Sequence, residues 1–146
     1  YFDALHTVYT TGDDEGRELY GDFFLGHAHL VALHDSYDWK FHANLFFLTS
    51  HPAFQLKLEQ SLHAVNPNVS TPYWDFMVDH DLGSNWSQSL VYEPDWFGTV
   101  NNHQSDSYRV KGRFRDVKLI FDRDSDAYPN SYHNPYGYIS ATKDCN

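Results

Sequence analysis

Three histidines, His34, His42 and His51, follow one another at intervals of eight and nine residues. Between the second and third runs Ala43-Asn44-Leu45-Phe46-Phe47-Leu48, an apolar stretch able to hold imidazoles away from bulk water. A neutral imidazole donates through one ring nitrogen and keeps a lone pair on the other. Three imidazoles without thiolate or carboxylate suit copper, zinc, iron or nickel, and spacing alone does not choose among them. The chain holds 10 His in 146 residues. His6, His63, His80, His103 and His133 match no ligand spacing and read as surface or packing residues. The single cysteine, Cys145, excludes an intrachain disulfide and any Cys-based zinc or iron–sulfur site.

The elements that must position these histidines are helical. Asp3 to Tyr9 reads as a short helix, closed by the turn-forming Thr10-Thr11-Gly12-Asp13-Asp14. A second helix is predicted from about Gly21 to His34. Its Phe23, Phe24, His27, Leu30, Val31 and His34 recur at helical offsets. At about 100° per residue, His27 and His34 lie about 20° apart on the apolar face, and His29 about 160° from His27 on the polar side. A third helix is predicted from about Pro52 to Val65, with Phe54, Leu58, Leu62 and Val65 on one stripe. Proline suits a first helical position, and Asn66-Pro67 ends the pattern. Beyond Asn68, Pro, Gly, Asn and Asp recur every few residues, so the second half reads as irregular. The exception is Arg113 to Asp122, whose apolar residues predict a short strand. The fold class is therefore mainly α, followed by a long irregular region with at most a short strand.

Composition bounds the function. Apolar residues make up 41% and aromatics 18% of the chain, enough for a packed core. The net charge of −10 offers no basic stripe, which argues against nucleic acid and anionic membrane surfaces as partners. No apolar run approaches the roughly 20 residues a membrane span needs. Asn68-Val69-Ser70 and Asn85-Trp86-Ser87 match the glycosylation sequon, which matters only in a secreted chain.

The run from His42 to His51, with Phe54, Leu58, Glu59, Gln60 and Leu62 after it, resembles the first copper-binding segment of tyrosinases. That family has two His nine apart across a Phe-rich stretch, then a helix with Glu eight residues on. A Val-x-Pro-x-Val-like turn and Pro-Tyr-Trp-Asp follow. Here they read Ala64-Val65-Asn66-Pro67-Asn68-Val69 and Pro72-Tyr73-Trp74-Asp75. The opening, from Ala4-Leu5-His6 through Leu19-Tyr20-Gly21, is similar to tyrosinase-domain proteins of algae and protists. The resemblance covers residues 1 to 100 well and the rest weakly. It implies copper held by His34, His42 and His51, within a first copper site at about residues 20–75, ahead of an irregular region at 76–146. His27, on the same helix face as His34, is the reserve for the first ligand, and His29 is disfavoured. Glu59 reads as a structural acid, a metal-site support or a surface residue, Tyr73 and Trp74 as packing residues, and Asp75 as a turn cap. The chain departs from the family at Ser50 and Pro52, where an aromatic and an Arg are usual. A proline restricts its predecessor, so His51 is expected outside the α region.

The resemblance implies type-3 copper chemistry, with two ions, each on three His, binding dioxygen between them to oxidise small phenols and catechols. Two metals match the electron count, because each Cu(I) gives one electron. Ligating imidazoles must be neutral, so acid should release the metal. The family's second site uses a His-x-x-x-His pair, and residues 76–146 contain none. The expectation is an incomplete tyrosinase-like helical bundle, the N-terminal part of such a domain, whose parent is a copper oxidoreductase. The alternative is a non-catalytic type-3-like module, either a hemocyanin-like oxygen carrier or a degenerate structural domain.

Overall fold

The computed structural model describes residues 1–36, 41–81, 83, 88–100 and 110–118. Its elements run α1 (Phe2–Thr10), α2 (Asp13–Tyr20), α3 (His27–Ser36), α4 (Phe47–Val65), α5 (Phe76–Asp81), a 3₁₀ turn (Leu90–Tyr92), β1 (Thr99–Val100) and β2 (Val110–Lys111). The chain is mainly α, as the apolar stripes imply. The sole sheet among the described residues pairs β1 and β2 antiparallel, with Thr99 opposite Lys111 and Val100 opposite Val110.

The core forms where α1, α3 and α4 meet. α1 packs on both other helices, and α3 packs on α4. Ala4, Leu5 and Val8 share one face of α1 and are buried against Phe24, Leu30, Leu62, Phe114 and Val117. Each such Leu- or Phe-sized side chain contributes roughly 1.5–3 kcal/mol by leaving water. Phe24 is 0% exposed and lies on Gly16 of α2, where an added Cβ would come within 2.0 Å of its ring. Only glycine admits that ring, which fixes α2 against the segment before α3.

α2 falls where the sequence suggested only the close of a turn. It is too polar to show an apolar stripe, but Asp13, Asp14 and Glu15 fill its first turn, where carboxylates meet the positive end of the helix dipole. Asp13 also reaches across to α3, its Oδ1 accepting the Gly26 N–H at 2.7 Å.

The predicted Gly21–His34 helix is shorter at its start, beginning at His27. Gly21 takes φ +93°, in the left-handed region that ends α2. The backbone of Leu25 is bonded elsewhere. Ser61 of α4, itself buried, donates Oγ–H to the Leu25 carbonyl at 2.7 Å and accepts the Leu25 N–H at 3.1 Å. Phe23 is left 70% exposed while Phe24 fills the core. These tertiary bonds override the helical stripe.

α4 begins at Phe47, not Pro52, so Pro52 lies inside it and His51 is helical. This corrects the expectation that proline would expel His51 from the α region. The lost bond would have gone to the carbonyl of Leu48, a residue 77% exposed, and the rest of a 19-residue helix carries the segment through. The strand expected over 113–122 is displaced. Residues 113–116 form a turn, with Arg113 N–H on Pro94 O at 2.8 Å and Val117 N–H on Phe114 O at 3.2 Å. Gly112, at φ +106°, lets the chain pass against Pro94. Burial of Phe114 and Val117, three apart, is turn spacing, not strand alternation. Residues 119–122 lie outside the described residues. The expected irregular region also opens on a helix, α5, capped by Asp75, whose Oδ1 accepts the Met77 N–H at 3.2 Å. No helix among the described residues is long and apolar enough to cross a membrane.

Candidate metal centre

His34 stands in the last turn of α3, and His51 in the second turn of α4. The packing of α3 on α4 brings these two together. His42 comes from the bend between the helices. One ring nitrogen from each of His34, His42 and His51 lies within 4.8 Å of the others. Ring centroids are 5.1 Å apart for His34–His42, 5.7 Å for His42–His51 and 6.0 Å for His34–His51. Two imidazole nitrogens on one ion at about 2.0 Å are at most about 4 Å apart, so side-chain rotations close the set. The donor set therefore fits a single metal of the imidazole-preferring class.

Aromatic rings wall the cluster. Phe41, buried, sits 4.5 Å from His34 and 5.3 Å from His51 by ring centroid. Phe54 lies 5.6 Å from His34 and 5.7 Å from Phe41, and Phe47 is 4.7 Å from His51. His34 and His51 are half-buried and His42 is exposed, so the cluster opens to solvent on the His42 side. His51 is oriented by its own helix, its Nδ1 lying 2.9 Å from the Phe47 carbonyl. With Nδ1 donating there, Nε2 carries the lone pair. The role of Phe41 was not read from sequence, although its place just before His42 is the signal that would have found it.

His27 goes elsewhere. Seven residues at about 1.5 Å rise put it about 10 Å along α3 from His34, though on the same face. It stacks on Tyr9 of α1 at 4.2 Å. Burial there holds its pKa below the ordinary 6.5 and raises that of Tyr9. His29 Nδ1 lies 2.5 Å from Asp13 Oδ2, on the polar side as the helical angle implies. Glu59 accepts the Thr71 N–H at 3.2 Å, which returns the chain after α4 onto that helix. It stands eight residues, about 12 Å, from His51 along the axis. Tyr73 is 85% exposed and not a core residue, whereas Trp74 donates Nε1–H to Asp79 at 2.7 Å and meets Tyr92 edge-on. His6 packs 5.8 Å from Phe114, and His63 and His80 are exposed. His103 and His133 lie outside the described residues.

Residues 4–146 match the common central domain of tyrosinase. The chain belongs to the tyrosinase family. A curated relative of this tyrosinase-family chain is grixazone synthase of Streptomyces griseus subsp. griseus, 43% identical over 51 residues. That match covers 34% of this chain and 17% of the relative, so the chain spans a small part of the relative's length. No solved structure matches.

Proposed function

We propose that His34, His42 and His51 hold one copper ion and that the chain is the first-copper part of a tyrosinase-family oxidoreductase acting on small phenols or catechols with dioxygen. The observation that carries this reading is the convergence of three imidazole nitrogens within 4.8 Å, in a chain of this family. The chemistry copper supplies when bound is one-electron exchange between Cu(I) and Cu(II). Oxidation of a catechol to a quinone removes two electrons and two protons, so a single centre does not complete it in one step. Because no His-x-x-x-His occurs anywhere in the chain, the second set of ligands is assigned to other sequence. If the parent lacks such a set, the reading becomes a degenerate structural module; if it has one, an activity assay separates an oxidase from a hemocyanin-like carrier, because both share the ligands.

The chain's own residues do three things in this reading. His51 presents Nε2 because its Nδ1–H is held by the Phe47 carbonyl. Phe41 and Phe54 keep water from the half-buried side. Phe47, whose ring borders His51 and is half exposed, offers an aromatic surface to a phenolic ring arriving from solvent. Titration with Cu(I) against a chromophoric chelator tests the reading. One equivalent per chain is expected, lost in His51→Ala. Binding that survives His51→Ala overturns the ligand set.

A further inference from the structure

The three histidines are not held alike. His34 and His51 ride on packed helices, whereas His42 is exposed on a bend. The next residue, Ala43, has φ +56°, the one positive φ at a non-glycine residue among those described. That region is sparsely used by residues with a Cβ, so something must hold the chain there.

Asn44 does so from both sides. Its Nδ2 donates back to the His42 carbonyl at 2.9 Å, and its Oδ1 accepts forward from the Phe46 N–H at 2.7 Å. Its own carbonyl accepts the Phe47 N–H at 3.2 Å, joining the bend to the first residue of α4. The amide side chain thus ties the residue before Ala43 to the start of the helix that carries His51. Asparagine is suited to this, since one end of its amide donates and the other accepts.

The geometry points to Asn44 as a positioning residue that presets His42 for the metal by holding the left-handed bend at Ala43. This rests on the copper reading above. A preset ligand need not be ordered when the ion binds, so affinity gains what ordering would otherwise take away. Loss of the clamp weakens binding without unfolding the protein, because the bend is exposed and outside the core.

The test is a double-mutant cycle on the full chain, read by Cu(I) competition titration and by thermal unfolding of the metal-free protein. Asn44→Ala is expected to weaken Cu(I) binding about tenfold, the lower end of what supporting partners of metal ligands contribute. Its metal-free melting temperature should match the wild type, whereas a merely structural role would lower it. In a His42→Ala background, Asn44→Ala should change the residual Cu(I) affinity less than twofold, because the ligand through which it acts is gone. Wild-type affinity in Asn44→Ala, or an equal loss in the His42→Ala background, overturns the proposal. Failure of the copper reading looks different: His51→Ala then binds Cu(I) as the wild type does, and the proposal falls with it.

Discussion

The two ends of α3 carry the same residue type to different ends. At its start, His27 is stacked on Tyr9 and His29 lies on Asp13, so each ring is occupied by a protein group. At its other end, His34 meets His42 and His51 among phenylalanines, with a solvent opening on the His42 side. His27 and His34 share one face of one helix. What separates them is depth along the axis, because only the far turn of α3 meets both α4 and the bend before it. A histidine becomes a candidate ligand through which other imidazoles its turn of the helix meets.

Crossed substitutions break this comparison most sharply. His34→Ala should reduce Cu(I) affinity at least a hundredfold while leaving the melting temperature of the metal-free protein near the wild type. His27→Ala should leave Cu(I) affinity within about twofold while lowering stability by roughly 1–3 kcal/mol, as a half-buried aromatic stack is lost. The reverse pattern would make His27 the first ligand and undo the assignment.

A smaller effect tests whether the two ends are mechanically joined. Ser61 fixes α4 to Leu25, just ahead of α3. Ser61→Ala leaves the part-buried N–H and carbonyl of Leu25 without this partner, which costs roughly 1–3 kcal/mol in chemical denaturation. Copper affinity should fall only a few-fold, because the packing of α3 on α4 remains. Equal stability of this variant and the wild type would show that these bonds do not hold α4 in place.

The smallest effect is a pH signature of the His27 end. Its folded pKa lies below 6.5, because burial disfavours the charged ring. Above about pH 6.5 both folded and unfolded chains hold it neutral, and it adds no pH dependence. As pH falls below that value, the unfolded chain takes the proton first, so stability declines until the folded ring is protonated as well. Metal-free wild type should therefore lose stability as pH falls below 6.5 more steeply than His27→Phe. Parallel curves would mean that His27 is not buried against Tyr9.

The sequence made the triad legible because the nine-residue interval and the Phe-rich run between His42 and His51 belong to one local segment. Angle around the helix also separated His29 from the other two. It did not separate His27 from His34, since periodicity encodes a face and not which neighbour meets each turn. The start of α3 was illegible for a related reason: the bonds that displace it come from Ser61 and Asp13, distant in the chain. α2 was missed because a surface helix of eight mostly polar residues shows no stripe. The place of Pro52 inside α4 reflects the length of the helix around it, and no dipeptide rule contains that.

The central claim, a single three-histidine copper centre in this chain, is tested most directly by electron paramagnetic resonance of the protein loaded with Cu(II) and freed of excess metal. The spectrum should integrate to one paramagnetic copper per chain, with hyperfine structure from nitrogen ligands, and His42→Ala, left with only weak residual affinity, should lose that signal once excess metal is removed. Two coppers per chain with no resonance would mean a spin-coupled pair, and would contradict the account by showing that this chain completes a second site itself.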